Sequence, residues 1–464
     1  MPAPGIPSPA PVSRALLRPA NNVAALVGHS MLDQALWQTS NPRTVKFSVT
    51  AFPAWLQILS KGQVIFPESC KFAVSSTTSS DAINTVLTSG AGSGKTQLQA
   101  AMACPAAIAF LMDEHNDRSS SFTLATTIAN FTTLISGLVG SGKIVIIVID
   151  PPSGTAADTA HRFTGAQLAY HVGFRDWVIR KAPSLWPGRV YGVDTWPVME
   201  DTATSAAGGD VLASKTQDNV HPNALGGYGI ATQILPILQS LGLPRLDVAI
   251  HAPGETYDSA NNATGNLLGS AGTIYGATGS MPANAGGVTY AGNKPSGSSI
   301  STNSAAQAGT LTITGAMVST STGNWFQLTV AGTTASNSNP QISLINTLTL
   351  GNLTAGDVLQ TFGEFEIDAN GTGLVCAAQQ LTRTLPSSSD TISLLYDLPS
   401  VSGKLDSILS TLSAPLAGYW CGDLTTTVDG TETLVQLQHQ IMIQPSSTIN
   451  FVVRMRKSAV RKVI

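Results

Sequence analysis

Charged side chains are scarce in this 464-residue chain, because Asp, Glu, Lys and Arg make up only 11% of the residues and aromatic residues only 6%. The net charge of −3 provides no positive field that would attract nucleic acid. Much of the remainder is small and polar, so the surface must be polar without being charged. Such a composition differs from that of an average cytosolic enzyme and suits a secreted, cell-surface or virion protein.

Cysteine is also rare. The four cysteines are scattered, form no C-x-x-C pair and have no histidine at the spacing of metal ligands; they are Cys70, Cys104, Cys376 and Cys421. This pattern argues against a structural zinc site and against a disulfide framework. We therefore expect no metal ion.

Long apolar runs are missing too. No stretch approaches the roughly eighteen apolar residues that a membrane helix needs, so we expect no membrane span. The first eleven residues are rich in proline and lack the apolar core of a Sec signal peptide. We expect residues 1–20 to form an extended arm, and a virion or extracellular location would then be reached without Sec secretion.

A glycine-rich segment at residues 87–97, LTSGAGSGKTQ, resembles a phosphate-binding loop. The consensus G-x-x-x-x-G-K-[ST] requires a glycine where this chain has Ser89, and the residues before the segment form no long apolar strand. A connecting turn is therefore the favoured interpretation. Nucleotide binding through Gly94, Lys95 and Thr96 is kept as the lesser alternative.

Residues 21–247 alternate short apolar runs with helical patterns, which is typical of a three-layer α/β domain with a parallel sheet. In such open sheets, ligands bind in the loops at the carboxyl ends of the strands. The predicted strands are 23–27, part of 65–73, 107–112, 144–149 and 190–193. The predicted helices are 32–36, 96–102, 125–138, 165–181 and 227–241.

The character of the sequence changes after residue 247. Residues 248–263 are expected to be a linker. Residues 264–464 contain segments that alternate apolar and polar residues and are broken by Gly, Asn and Pro. This pattern predicts an all-β sandwich of the jelly-roll type. The one basic cluster, residues 454–462, is expected to be a solvated tail or an inter-subunit contact.

Four short segments of the first domain place polar side chains where predicted strands end. Ser30 follows the first strand and precedes a helix, a position where serine is most often an ordinary N-cap. Ser76 and Asn116 fit plain capping or Asx turns, and they equally fit donors to an oxyanion. Asp218 lies three residues before His221, so its carboxylate can accept from Nδ1 and leave Nε2 as a base; a solvated turn is the alternative.

Taken in this order, the four segments resemble the four blocks of the SGNH (GDSL-like) hydrolases. The resemblance implies a flavodoxin-like fold and a serine esterase that needs no cofactor and no metal. It makes Ser30 the nucleophile, His221 the base and Asp218 the residue that orients the base. The oxyanion hole would consist of the Ser30 N–H, the backbone N–H of Ser76 and the side chain of Asn116.

The chain departs from the family pattern at three positions. His29 replaces the aspartate that usually precedes the nucleophile, and Ser76 and Glu114 each replace a glycine. A backbone N–H can still act at Ser76 if its dihedral angles suit a residue with a Cβ. His29 and Glu114 leave a second interpretation open, in which the scaffold has lost catalysis and serves as a structural or receptor-binding virion protein. The other histidines of this region are expected to be structural or surface residues: His115, His161 and His171.

The second domain resembles the carbohydrate-binding jelly rolls that are joined to esterases in phage and bacterial proteins. Trp325, Tyr396 and Trp420 are candidates for stacking on sugar rings, although core packing is the commoner role of such residues. Together the resemblances imply an esterase that removes acyl groups, acetyl among them, from a polysaccharide or cell-envelope glycan, as part of a phage tail or other virion component. The implied partners are a glycan and further copies of the chain, such as a trimer, or other virion proteins. No nucleic-acid partner is expected.

Overall fold

A computed structural model describes residues 19–40, 43–163, 165–203, 209–244, 255–269, 278–335, 340–396, 412–421 and 426–463. Within these ranges the chain forms a four-stranded parallel sheet and two larger sheets of eight and seven strands. The expected extended arm falls almost wholly outside the described residues, as do residues 248–254 of the expected linker.

The described strands are β1 (Ala24–Gly28), β2 (Leu36–Ser40), β3 (Arg43–Ser48), β4 (Ile108–Met112), β5 (Ile144–Val148), β6 (Val190–Val193), β7 (Thr278–Ser280), β8 (Val288–Pro295), β9 (Ser299–Thr302), β10 (Thr310–Thr320), β11 (Gly323–Thr333), β12 (Gln341–Thr347), β13 (Val358–Ile367), β14 (Leu374–Thr384), β15 (Ser389–Tyr396), β16 (Leu416–Cys421), β17 (Thr426–Thr427), β18 (Leu434–Ile443) and β19 (Thr448–Val463). The described α-helices are α1 (Ser30–Asp33), α2 (Phe52–Leu59), α3 (Ser79–Asn84), α4 (Gln97–Ala103), α5 (His115–Ser119), α6 (Leu124–Gly140), α7 (Gly165–Asp176), α8 (Ala182–Leu185), α9 (Trp196–Met199), α10 (Ala224–Ser240) and α11 (Ser304–Gln307). Among the described residues, no helix combines the length and hydrophobicity that a membrane crossing requires.

The parallel sheet has the strand order β1-β4-β5-β6. Successive residues of its strands face two separate cores. Leu26 and Phe110 pack in one cluster with residues of α2 and α10, whereas Val27 and Leu111 pack in another with residues of α6. Strands that are buried on both faces are apolar throughout, which made them visible in the sequence. The predicted three-layer α/β domain with a parallel sheet is confirmed.

The first predicted helix ends earlier than expected. The sequence predicts a helix over 32–36, but α1 ends at Asp33 and the chain enters β2 at Leu36. In the β2–β3 hairpin Leu36 lies opposite Phe47, and both side chains are buried. Cross-strand packing of these two residues therefore decides the local conformation against a longer helix.

The hairpin β2–β3 also leaves the α/β layer. It forms one edge of the seven-stranded sheet, whose order is β2-β3-β15-β14-β18-β12-β9. Strand β3 pairs in parallel with β15, with Val45 opposite Ile392. A segment of the range 21–247 is thus part of a sheet that otherwise comes from the range 264–464, and both ranges contribute residues to one apolar cluster.

The other large sheet has the order β16-β13-β19-β11-β10-β8-β7, with β17 paired to β13. The two sheets pack face to face. Ile342 and Ile441 of the seven-stranded sheet share a cluster with Leu328 and Val453 of the other sheet. Along β18 every second residue is buried over most of its length, as a half-buried strand requires. The predicted all-β sandwich is confirmed.

The basic cluster of residues 454–462 is not a solvated tail. It belongs to β19, which lies between β13 and β11 in the middle of its sheet. Arg454 forms ion pairs with Glu366 and Asp368, and Lys462 forms one with Asp357. Acidic residues of neighbouring strands and loops thereby pair with the basic residues of β19. The sequence could not reveal this pairing because the partners lie far apart along the chain.

Two of the three aromatic residues considered for sugar stacking are part of the core. Trp420 is 0% exposed and packs against Phe365 and His439. Trp325 is 4% exposed, and the Arg456 guanidinium lies over its ring at 4.1 Å. Neither ring is free to stack on a sugar, so this interpretation is wrong for both. The side chain of Tyr396 lies outside the described part of the structure.

The glycine-rich segment at 87–97 is a connecting turn that ends in a helix cap. The N–H of Gly94 donates to the Leu87 carbonyl, and the N–H of Leu87 donates to the Lys95 carbonyl. Thr96 caps α4 together with Gln99 in a reciprocal capping box, and Lys95 is exposed. These hydrogen bonds close the segment into a turn that leads into α4, as the connecting-turn interpretation predicts.

Candidate active site

The polar residues singled out in the first domain lie near the carboxyl-terminal edge of the parallel sheet. Strand β1 ends at Gly28, directly before His29 and Ser30, and the neighbouring β4 ends at Met112, shortly before Asn116. Gly28 is required here because its φ is +146° and an added Cβ would lie 1.9 Å from the Met112 carbonyl oxygen. The close approach of these strand ends brings the two loops together.

Ser30 is the first residue of α1. The N-cap is His29, whose Nδ1 accepts a hydrogen bond from the Met31 N–H at 3.3 Å. The capping role that was the alternative for Ser30 is thus taken by its neighbour. The Ser30 hydroxyl instead lies 2.9 Å from His221 Nε2.

His221 and Asp218 belong to a tight turn before α10. Asp218 Oδ1 accepts from the Val220 N–H at 3.0 Å and the His221 N–H at 2.7 Å, and Asn219 has a φ of +63°. This Asx turn folds the carboxylate back, so that Oδ2 lies 2.8 Å from His221 Nδ1. Ser30, His221 and Asp218 therefore form one chain of hydrogen bonds.

The hydrogen bonds also fix the tautomer of His221. An ionised Asp218 only accepts, so Nδ1 carries the hydrogen and Nε2 presents a lone pair to the Ser30 hydroxyl. Burial alone would raise the pKa of Asp218, but hydrogen bonds from the His221 ring and backbone hold it well below its usual range. The side chains of Asp218 and His221 are 54% and 22% exposed, which leaves the pair open to a substrate.

Two of the predicted oxyanion donors, Ser30 and Asn116, lie in the first turns of α1 and α5, and the third, Ser76, lies in the loop before α3. Ser76 has a φ of +65°, the left-handed conformation that glycine adopts without steric cost. Within the described ranges, the N–H groups of Ser30 and Ser76 have no hydrogen-bond acceptor. Asn116 Nδ2 donates one hydrogen to the Thr77 carbonyl at 2.7 Å and retains a second one.

The side chains that connect these segments were not predicted from the sequence. Gln97, at the start of α4, accepts from the Gly28 N–H at 2.9 Å and donates to Thr77 Oγ1 at 3.1 Å. Asp33 Oδ2 accepts from the N–H of Ser75 at 3.1 Å and from its hydroxyl at 2.6 Å. No motif marks these residues, because a lone polar residue in a helix carries no signal of what it faces.

His29, the first departure from the family pattern, is fully buried and paired. Its Nε2 lies 3.0 Å from Asp150 Oδ1. Asp150 Oδ2 accepts from the backbone N–H groups of Glu114 at 2.8 Å and His115 at 2.6 Å. Burial alone would raise the pKa of Asp150, but the facing His29 ring and its hydrogen bond lower it below the usual value.

Glu114, another departure, is buried behind the same loop. Its Oε2 lies 2.9 Å from His171 Nδ1, and His171 Nε2 accepts from the Trp196 indole N–H at 2.8 Å. The Arg118 guanidinium lies 3.7 Å from the other oxygen of Glu114. These contacts make His171 a hydrogen-bonded core residue and make Glu114 a structural carboxylate.

His115 lies beside the site as a neutral ring. Arg118 NH2 donates to its Nδ1 at 3.0 Å, which leaves the hydrogen on Nε2. Burial, followed by the charge of Arg118, lowers the pKa of His115 well below its usual value. The ring therefore adds a hydrogen-bond donor and no positive charge near His221.

Two buried aspartates flank the Asn116 loop. Asp117 accepts from the Ser79 N–H and from Thr127 Oγ1, both at 2.7 Å. Asp113 has no hydrogen-bond partner within the described structure, and burial, then the charges of Asp117 and Asp150, raise its pKa well above the usual value. Among the described residues, no group of three or more His, Cys, Asp or Glu side chains is arranged to hold a metal ion.

Comparison with known proteins gives structural neighbours only. No model of a protein family matches the chain. No curated protein matches it in sequence. A GDSL-like lipase from Bacteroides thetaiotaomicron is 11% identical, with a TM-score of 0.33 over 47% of this chain and 88% of its own. A carbohydrate acetylesterase family member from Sinorhizobium meliloti is 13% identical, with a TM-score of 0.33 over 47% of this chain and 98% of its own.

A third neighbour corresponds to a different kind of protein. It is a carbohydrate-binding module of the β-sandwich superfamily, 15% identical, with a TM-score of 0.23 over 35% of this chain and 56% of its own. TM-scores of this size carry no argument about activity. The case for a function therefore depends on the geometry of the site.

Proposed function

We propose that this protein is a serine esterase. The observation that carries the proposal is the chain of contacts from Ser30 Oγ to His221 Nε2 at 2.9 Å and from His221 Nδ1 to Asp218 Oδ2 at 2.8 Å. A serine hydroxyl is a weak nucleophile until an adjacent base accepts its proton, and the base must hold the correct tautomer. Both conditions are met by these contacts.

The reaction would proceed through an acyl-enzyme. Ser30 Oγ attacks the ester carbonyl carbon while its proton passes to His221 Nε2, and the carbonyl oxygen becomes an oxyanion. When the intermediate collapses, the C–O bond to the alcohol breaks and His221 returns the proton to the leaving oxygen. Water then attacks the acyl-enzyme with His221 as base, which releases the acid and restores Ser30.

The oxyanion would be stabilised by the N–H groups of Ser30 and Ser76 and by the second hydrogen of Asn116 Nδ2. Donors that are fixed before the reaction stabilise developing charge without reorganisation. The backbone conformation of Ser76, with its φ of +65°, supports this role because the N–H has the direction that a glycine would give it. No metal or organic cofactor enters the proposal.

We further propose an acylated polysaccharide or cell-envelope glycan as substrate, with acetyl among the acyl groups, and a virion or extracellular setting. The weakly charged, polar composition supports the setting. The glycan is proposed by fold-level analogy, from the resemblance of the β-sandwich, into which the hairpin β2–β3 extends, to carbohydrate-binding jelly rolls.

The alternative of an inactive scaffold depended on His29 and Glu114. Both side chains are buried and have hydrogen-bond partners, Asp150 and His171, at 3.0 and 2.9 Å. Neither takes the place of a triad contact. The departures from the family pattern therefore give no reason to prefer a non-catalytic role.

Hydrolysis of p-nitrophenyl acetate by the purified chain tests the proposal. We expect p-nitrophenol release that the Ser30→Ala variant loses and the Ser458→Ala variant keeps, since Ser458 is a buried serine of the sandwich. Release of acetate from a chemically acetylated polysaccharide, followed in parallel, tests the substrate class. Equal rates for the wild type and Ser30→Ala would contradict the esterase assignment.

A further inference from the structure

His29 and Asp150 form a buried pair of titratable residues that has no role in the proposed reaction. His29 and Asp150 are both 0% exposed, and their side chains meet at 3.0 Å. They supply neither the nucleophile nor the base, and they are not oxyanion donors. A buried ionised carboxylate is costly unless it is paired and hydrogen-bonded, so the contacts of this pair are informative.

Backbone donors fix the direction of every hydrogen bond around the pair. A backbone N–H can only donate, so the Met31 N–H makes Nδ1 of His29 an acceptor, and Nε2 carries the hydrogen. Nε2–H donates to Asp150 Oδ1, while Oδ2 accepts the N–H groups of Glu114 and His115. A neutral histidine protonated on Nε2 and an ionised aspartate satisfy all four contacts.

We propose that His29 and Asp150 are positioning residues that set the spacing between the nucleophile Ser30 and the oxyanion donor Asn116, an inference that rests on the proposed function. His29 directly precedes Ser30. The two N–H groups that Asp150 holds belong to the two residues directly before Asn116. One carboxylate therefore connects the loop that attacks the carbonyl carbon to the loop that binds its oxygen.

The pair also accounts for the histidine at position 29. The SGNH resemblance expects an aspartate there, which would place an acceptor beside the nucleophile. In this chain the acceptor lies just beyond the end of β5, at Asp150, and residue 29 has become the donor. His29 and Asp150 thus link the two loops. Such a link matters because misplacement by about 1 Å can cost about a hundredfold in rate.

The tautomer of His29 can be measured without any substrate. In the ¹⁵N-histidine spectrum of the full chain near pH 7, we expect His29 as the neutral Nε2–H form and His221 as the opposite, Nδ1–H form. The His29 signals are assigned by their loss in His29→Asn, which keeps an acceptor for the Met31 N–H but cannot reach Asp150. A cationic or Nδ1–H His29 would overturn the proposal.

Kinetics test whether the pair acts on the oxyanion donor. Asp150→Asn places an amide donor against other donors, and we expect kcat for p-nitrophenyl acetate to fall about ten- to a hundredfold while KM changes little. Asn116→Ala should lower kcat by about 10²- to 10³-fold in the wild type. It should lower kcat by less than about tenfold when Asp150→Asn is already present, because the Asn116 amide is then already misplaced.

A purely structural role predicts a different result. If Asp150 only stabilised the fold, Asn116→Ala would reduce kcat by the same factor in both backgrounds, and that outcome would overturn the proposal. Leu437→Ala, a cavity variant in the sandwich core, is the matched control and should leave the full effect of Asn116→Ala. A wild type without esterase activity would contradict the proposed function. The histidine spectrum would still test the His29–Asp150 hydrogen bond, because it needs no activity.

Discussion

The described part of the chain contains two serine–histidine pairs with nearly equal spacing and different surroundings. In the α/β domain, Ser30 Oγ lies 2.9 Å from His221 Nε2; in the sandwich, Ser458 Oγ lies 2.7 Å from His439 Nε2. The first pair is partly exposed and has Asp218 behind it. The second is 0% exposed, and within the described structure Nδ1 of His439 has no hydrogen-bond partner.

A short Ser–His distance alone therefore does not make a nucleophile. Without an acid on Nδ1, nothing forces His439 to present a lone pair to the serine. Burial lowers the pKa of His439 to about 3, which makes it a poor proton acceptor. His221 has the fixed tautomer, the access and the nearby oxyanion donors that the sandwich pair lacks.

The largest expected effect comes from removing the acid that distinguishes the two pairs. Asp218→Asn should lower kcat/KM for p-nitrophenyl acetate by about 10²- to 10⁴-fold, because the amide no longer selects the Nδ1–H tautomer of His221. Thermal unfolding should change little, since the side chain is half exposed. A variant that retained wild-type kinetics would mean that the acid has no part in activating Ser30.

Removal of an oxyanion donor should have a somewhat smaller effect. Asn116→Ala is expected to lower kcat by about 10²- to 10³-fold with little change in KM, because the amide would contact the oxygen only as charge develops. The control is Asn130→Ala, which removes an amide from the neighbouring helix α6. Steady-state kinetics of the two variants are compared. Equal losses in both variants would indicate disturbed folding rather than a lost donor.

The buried pair His439 and Ser458 should affect the stability of the protein at low pH. His439 stays neutral in the folded state down to about pH 3, whereas it binds a proton below about pH 6.5 when unfolded. Because only the unfolded chain binds this proton, the free energy of unfolding falls as the pH drops from 6.5 towards 3, by up to about 1.4 kcal/mol per pH unit. In urea titrations from pH 7 to 4, His439→Gln should lose less stability than the wild type; parallel curves would contradict this account.

The smallest expected effect concerns the backbone of Ser76. Its φ of +65° is unfavourable for a residue with a Cβ. Ser76→Gly should raise the free energy of unfolding by no more than about 1 kcal/mol, because the gain is partly offset by the flexibility of glycine in the unfolded chain. The kcat should be unchanged, since the N–H is kept. A large loss of kcat would show that the hydroxyl itself takes part.

The parts of the structure that the sequence predicted are those that depend on neighbouring residues. The strands β1, β4, β5 and β6 were visible as short apolar runs, and the Asx turn of Asp218 follows from residues two and three positions apart. The pairing of β3 with β15 was not visible, because a strand pattern does not name its partner across the chain.

Long-range pairing of polar residues was hidden for the same reason. His29 reads in the sequence as a defect beside the nucleophile, and only the fold brings Asp150 to it. For the aromatic residues of the sandwich, the sequence does not show which of them are buried. A period of two indicates which residues share a face, but burial of Trp420 and coverage of Trp325 by Arg456 depend on how the sheets and strands pack.

Active-site labelling would show directly whether His221 activates Ser30. A fluorophosphonate phosphonylates a serine only when a base activates it, and mass spectrometry of the digested protein locates the adduct. The account predicts an adduct on Ser30, none on Ser458, and loss of the Ser30 adduct in His221→Ala. An unlabelled wild type, or equal labelling in His221→Ala, would contradict the claim that His221 activates Ser30.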